Sequence, residues 1–279
     1  MAEVTRFAPS PTGYLHVGHV YSALFAYHKR GPGGSFHLRI DDLDPSRSRE
    51  HFVDAIFEDL RWLGLSWETP VRRQSENMED YNKALLKLCS KGLVYPCFCT
   101  RKDIRNEIER SGQAPHSSGL SIYPGTCKKL TAREINNLKE SERIYALRIN
   151  MSKAITITGN LNWYDLGKGN IHAKPANFGD FILARKEVSS SYHLAVTVDD
   201  AFQNITLVSR GRDLFCSTDI HRLLQVILGY STPKYYHHDL VKDLRGNRLS
   251  KRRDSPSIRF LRENGYTPKE VIALSGFKF

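Results

Sequence analysis

No apolar run in the 279 residues is long enough to cross a bilayer, and the N-terminal MAEVTRFAPS lacks the apolar core of a secretory signal. Cysteine is scarce. Cys89, Cys97, Cys99, Cys127 and Cys216 are odd in number and scattered through a long chain, which excludes the disulfide framework of a small secreted domain. No internal repeat is present. Acidic residues are outnumbered: 41 Lys and Arg against 30 Asp and Glu give a net charge of +11. These absences describe a soluble, cytoplasmic protein that makes no use of a membrane, with a monomer as the expectation. The basic excess favours an anionic partner, with nucleic acid first. The length suits one large domain or two smaller ones.

Period-two alternation marks FHLRI, where Phe36, Leu38 and Ile40 alternate with His37 and Arg39. YALRIN, DFILAR and NITLVSRG are further strand candidates. Helical spacing of apolar residues runs from Ser46 to Leu63, from Met78 to Leu93 and from Thr218 to Leu228. Strands alternating with helices predict an α/β fold with a parallel sheet, whose ligand edge lies at the carboxyl ends of its strands. The middle of the chain departs from this pattern. It holds clustered cysteines, small mixed elements and a Ser/Gly/Pro-rich stretch near Ser111–Ser121 that reads as a mobile loop.

RFAPSPTGYLHVGH leads from strand-like to helix-like sequence across two prolines and a glycine. A helix starting near His16 puts Val17, Val20, Tyr21 and Leu24 on one apolar stripe, and Gly18 permits a close approach. His16 and His19 then share a face at the helix's positive end, where phosphate binds well. The spacing alone fits two readings: imidazoles that meet a phosphate, or two surface histidines that cap the helix. A two-histidine metal site has no third ligand nearby in sequence.

HVGH in this setting, followed much later by Arg248-Leu249-Ser250-Lys251-Arg252, resembles the two signatures of class I aminoacyl-tRNA synthetases. RFAPSPTGYLHVGH and LRIDDLDPSRS are similar to the glutamyl branch of that family. The resemblance implies a Rossmann-like catalytic domain, ATP and Mg²⁺. It makes His16, His19 and Lys251 the groups that stabilise the phosphoryl transition state. Arg6 would take a substrate carboxylate bidentately, with Ala8 and Ser10 lining the amino-acid pocket. Asp41 stands where the family usually has Glu, facing the substrate α-ammonium with a side chain one methylene shorter. The Asp41, Asp42 and Asp44 cluster also fits turn and capping chemistry. SYHLAVTVDDAFQNITLVSRGRDL matches the second half of the family's site. It implies Tyr192 and Arg210 as readers of glutamate, Arg210 on the γ-carboxylate. Outside that context Tyr192 reads as a half-buried strand residue, and Asp199 and Asp200 as structural.

Cys97 and Cys99 are too close to bridge each other but can share a metal with Cys127, and thiolates in tetrahedral array point to zinc. Glutamyl-queuosine tRNA synthetases carry C-x-C…Y-x3-C as a zinc site, which implies Tyr123 as fourth ligand. His116 is the commoner ligand type within the same loop. Buried cysteines without metal are the alternative.

The expected organisation is a first catalytic half over 1–95, an inserted zinc-containing region over 96–177, a second half over 178–245, and a signature loop with a helical tail over 246–279. SIRFLRENGYTPKEVIALSGF reads as two helices around Tyr266-Thr267-Pro268. The chain ends soon after the second signature, so an anticodon-binding helical region is not expected. The function implied is tRNA-independent activation of glutamate by ATP, then transfer to queuosine in tRNA(Asp). No base for the transfer step is evident, which leaves the substrate phosphate or a water. The alternatives are a truncated glutamyl-tRNA synthetase acting on tRNA(Glu), a non-catalytic RNA-binding paralogue, or a small-molecule nucleotidyltransferase.

Overall fold

The computed structural model describes residues 2–110, 122–185, 190–241 and 256–278. The chain opens with β1 (Val4–Phe7), α1 (Val17–Lys29), β2 (Ser35–Ile40), α2 (Glu50–Trp62) and β3 (Glu68–Arg73), and the three strands form a parallel sheet in the order β1-β2-β3. Phe36, Leu38 and Ile40 point into the core as the alternation predicts, packed with Val17, Val20 and Leu24 of α1 and Ile56 and Leu60 of α2. Tyr21 is only half-buried, with its ring 5.0 Å from that of His238 and 5.8 Å from that of Phe277. The turn into β2 requires a glycine at Gly34, where a Cβ would lie 2.1 Å from the Arg30 carbonyl oxygen.

The next elements are α3 (Met78–Ser90), β4 (Val94–Cys97), α4 (Arg101–Arg110), α5 (Ala132–Glu140), β5 (Ala146–Ile149), α6 (Met151–Thr158), β6 (Asn162–Asp165), β7 (Gly169–His172) and β8 (Ile182–Arg185). They are followed by α7 (Tyr192–Phe202), β9 (Leu207–Gly211), α8 (Ser217–Leu228), β10 (Lys234–His238), α9 (Ile258–Glu263) and α10 (Pro268–Leu274). A second sheet runs β7-β6-β10-β9, with β6, β10 and β9 parallel. It meets the first along β1 and β9: Thr206 N donates to Val4 O at 3.0 Å, and Arg6 Nη1 to Ser209 O at 3.2 Å. Across this seam the order is 3-2-1-9-10-6, the arrangement in which a crevice opens where the strand order reverses.

The pairings do not follow the boundaries at 96 and 177. The third sheet, antiparallel β4-β5-β8, takes in β8, whereas β6 pairs with β10 in the second sheet. Burial explains this. Ile149 of β5 and Leu183 of β8 share one core with Leu194 of α7 and Leu223 of α8, so the middle region is fused to the second half. Among the described residues of this region, the patch around Cys97, Phe98, Tyr123 and Cys127 has a core of its own. The tail forms the two expected helices, and Ile258, Leu261 and Val271 join the first core.

An ion network crosses the strand ends. Arg39 of β2, fully buried, donates from Nε to Asp41 at 2.8 Å and from Nη1 to Asp200 at 2.7 Å. Arg6 of β1 meets Asp200 at 3.0 Å, and Arg72 of β3 meets Asp199 at 2.7 Å. Asp199 also accepts from Gln74 at 2.8 Å and Tyr81 at 2.9 Å. Asp199→Ala removes a buried anion on which these donors converge and is expected to cost about 3–5 kcal/mol. Urea denaturation measures it; a loss under about 1 kcal/mol would contradict this role.

Candidate active site

α1 begins on a reciprocal histidine cap. His16 is the N-cap residue, and its Nδ1 accepts from Gly18 N at 3.1 Å. His19 Nδ1 accepts from His16 N at 3.1 Å. Two of the orphan N–H groups of the first turn are thereby satisfied. In a neutral ring whose Nδ1 accepts, the hydrogen sits on Nε2. Both rings are therefore held as Nε2–H donors, so capping and readiness for an anion arise from the same bonds. Gly18 leaves the His16 ring its place, since a Cβ there would lie a tight 3.0 Å from His16 Cε1.

The carboxyl ends of β1, β2, β9 and β10 surround a cavity of about 650 Å³. It is lined by Arg6, Ala8, Ser10, His16, His19, Asp41, Tyr192 and Arg210, so the structure brings these sequence-predicted residues together. Tyr192 belongs to a helix rather than a strand: it opens α7, whose N-cap Ser191 accepts from Leu194 N at 3.3 Å. Lys251 lies outside the described residues. On either side of that stretch, Val241 lines the cavity and Ser257 pairs with His16 in an isolated antiparallel bridge.

Asp41 leans on Arg39. Burial pushes its carboxyl up to about 6, against the pull of the Arg39 guanidinium. Arg6 is committed on one side to Asp200 and to Ser209 O. Arg210 differs from both. It is 7% exposed, and among the described residues no carboxylate pairs with it. It donates from Nε to His237 Nε2 at 3.2 Å, from Nη1 to His221 Nδ1 at 3.2 Å, and from Nη2 to Thr218 Oγ1 at 2.6 Å. His221 Nε2 lies 3.2 Å from His193 Nδ1, and His237 Nδ1 lies 2.7 Å from Asp165 Oδ2.

Thr218, His221, His237 and Asp165 are absent from the sequence-derived site. The available signal was a polar pair three residues apart, Thr218 and His221, interrupting the apolar stripe of α8.

A second group gathers Cys97, Cys99 and Cys127, whose sulfurs all lie within 4.8 Å of one another. Cys99 Sγ is 3.4 Å from Cys127 Sγ and 3.6 Å from the Tyr123 hydroxyl, which accepts from Cys127 N at 2.8 Å. Tetrahedral zinc with bonds near 2.3 Å needs sulfurs about 3.8 Å apart, so the four donor atoms fit a metal after small shifts. Burial, and after it the neighbouring Cys127 sulfur, pushes the Cys99 thiol up to about 12. His116 lies outside the described residues.

Burial, then the Arg210 charge, pushes both His193 and His237 down to about 4, and His221 well below its ordinary value. The unfolded chain therefore takes up protons first as pH falls, and the stability these rings contribute is lost between pH 6.5 and about 4. Nitrogen NMR at pH 5.5 should find His193 and His237 neutral; a midpoint above about 6 for either would contradict their placement against Arg210.

The catalytic-domain model of class I tRNA synthetases for glutamate and glutamine matches residues 3–277. The chain is 41% identical to the glutamyl-Q tRNA(Asp) synthetase of Rhodobacter capsulatus, covering 98% of this chain and 99% of that protein. It is 37% identical to a Hydrogenobaculum glutamate–tRNA ligase over 96% of this chain, and spans 56% of that protein. The structure of a glutamate tRNA ligase from Elizabethkingia meningosepticum, in complex with its amino acid, superposes with a TM-score of 0.79 at 27% identity, covering 99% of this chain and 61% of that one. No described helix is long and apolar enough to cross a membrane. Motif, topology and relatives agree: the chain belongs to the class I aminoacyl-tRNA synthetases, ligases of the glutamate and glutamine branch.

Proposed function

We propose that the chain activates L-glutamate with ATP, without needing tRNA for that step, and transfers it to queuosine in the anticodon of tRNA(Asp). The observation that carries the glutamate assignment is Arg210, a buried cation left without a carboxylate among the described residues, in the same cavity as the histidine cap. A buried charge without a counter-ion is costly, and the γ-carboxylate of glutamate supplies one. Arg6 serves the carboxylates from the opposite wall, Ala8 and Ser10 line the amino-acid pocket, Tyr192 covers it, and Asp41 faces the α-ammonium.

The chemistry follows from position and charge rather than from an enzyme nucleophile. An α-carboxylate oxygen bonds to the α-phosphorus of ATP, and the bond to pyrophosphate breaks. His16 and His19 offer Nε2–H donors to the phosphates, and Lys251 adds a cation there, with Mg²⁺ as the usual counter-charge. A hydroxyl of the queuosine ring then attacks the acyl carbon and AMP leaves. A second cavity of about 950 Å³ shares Ser10, Asp41 and Tyr192 with the first and extends to Arg148 and Tyr123 of the middle region. It supports an approach of the acceptor from that side. The end-to-end match with the Rhodobacter relative supports this acceptor over tRNA(Glu), although glutamate–tRNA ligases are also similar.

Zinc held by Cys97, Cys99, Tyr123 and Cys127 is proposed as a structural ion of the middle region. When bound it supplies crosslinking of the small core, and these four side chains hold it.

Labelled glutamate and ATP, incubated with tRNA carrying or lacking queuosine, test the acceptor. Label should attach to queuosine-bearing tRNA(Asp); equal labelling of queuosine-free tRNA(Glu) would overturn the reading. Metal analysis should find about one zinc per chain, falling by more than half in Cys127→Ser. Less than half an equivalent on the unaltered protein, purified without chelator, would remove zinc from the account.

A further inference from the structure

We propose that Thr218, His221 and His237, with Asp165 behind His237, are positioning residues that select a carboxylate over a carboxamide by bedding Arg210 in neutral acceptors alone. The inference rests on the reading that Arg210 meets the side-chain carboxylate of the substrate.

The fold places each member. Arg210 and His237 are direct partners in the parallel pairing of β9 with β10, so their side chains emerge on one face. Thr218 and His221 are three residues apart at the start of α8 and reach the same guanidinium. Asp165 ends β6, accepts from His237 Nδ1 and backbone N, and also takes Gly167 N at 2.9 Å.

The hydrogen positions follow. A guanidinium only donates. With Nδ1–H given to Asp165, His237 presents a lone pair at Nε2 to Arg210 Nε, and Thr218 Oγ1 lies 3.1 Å from the same nitrogen. His221 Nδ1 accepts from Arg210, so its hydrogen is on Nε2, facing His193 Nδ1. Every hydrogen runs away from Arg210. Among the described residues three of its five N–H groups find partners, and none of these three meets an anion. Among the described residues the one carboxylate in this hydrogen-bonded relay, Asp165, is held behind an imidazole. Arg6 and Arg39, by contrast, bond directly to Asp200. A carboxylate in the bed would neutralise Arg210 internally, and the cavity would then accept an amide almost as readily as an acid.

The test is pyrophosphate exchange with glutamate and with glutamine, with and without tRNA, on Thr218→Asp, His221→Asp, Thr218→Val and Thr218→Ser. The unaltered enzyme should favour glutamate by about 10³-fold or more in kcat/KM. Thr218→Asp or His221→Asp should raise the glutamate KM about 30-fold or more with a smaller change in kcat, and lower the preference about 100-fold. Thr218→Val should lower it about 10-fold, and Thr218→Ser, which keeps the hydroxyl, should stay within about 3-fold of the original. A merely structural role would depress both amino acids alike. An unchanged preference in Thr218→Val and in whichever aspartate variant folds overturns the inference. An unaltered enzyme that uses glutamine as well as glutamate overturns the parent reading instead.

Discussion

Two adjacent carboxylates on α7 hold the ends of three parallel strands, and the cavity's shape depends on them. Asp199 and Asp200 receive Arg72, Arg39 and Arg6 from β3, β2 and β1. These strands pair only over short registers. What fixes α7 against them is a set of buried charges whose desolvation is tolerable only while every partner stays in place. Such a network stores little net stability but permits little displacement. It sets Arg6 and Asp41 on one wall and Tyr192, at the start of the same helix, on the other.

The histidine pair illustrates how a structural role and a chemical one coincide. Capping consumes Nδ1 of both rings and leaves the hydrogen of each on Nε2. The spacing of His16 and His19 is equally that of a capping box and of two donors at a helix's positive end, so it cannot choose between them. The bond pattern makes the choice unnecessary: the cap is what orients the donors. A caps-only account would still have to explain why the same cavity holds a buried guanidinium that meets no carboxylate among the described residues.

Much of this was legible in the chain. Alternation in FHLRI located β2, and helical spacing located α2, α3 and α8 to within a few residues. Linear motifs named the residues that line the cavity, because RFAPSPTGYLHVGH is one continuous strand-turn-helix. Arg39 escaped notice because alternation assigns it to the polar face, and that face is also covered, by α7. The bed of Arg210 escaped because its members come from β6, α8 and β10, and pairing across a sheet has no local signature. The pairing that crosses the expected boundary at 177 was hidden for the same reason: β8 reads like any other strand, and its partner β5 is seen in the sheet alone.

The cysteine group shows the opposite case, where separated residues were legible because their chemistry is restrictive. Cys99 and Cys127 are 28 positions apart, yet their sulfurs lie 3.4 Å from each other. Around them, among the described residues, the patch packs Phe98, Leu130 and Leu138. A small core gains from a crosslink, because each crosslink reduces the entropy lost on ordering the chain around it. Crosslinking by one cation through four side chains would act in that way, and it would also favour the ionised form of Cys99 that burial resists. Tyr123 fits this account with an oxygen that already accepts from Cys127 N, the polarity a phenolate ligand requires. Its ring also lies 3.9 Å from the Arg148 guanidinium, in the wall that joins the cluster to the larger cavity.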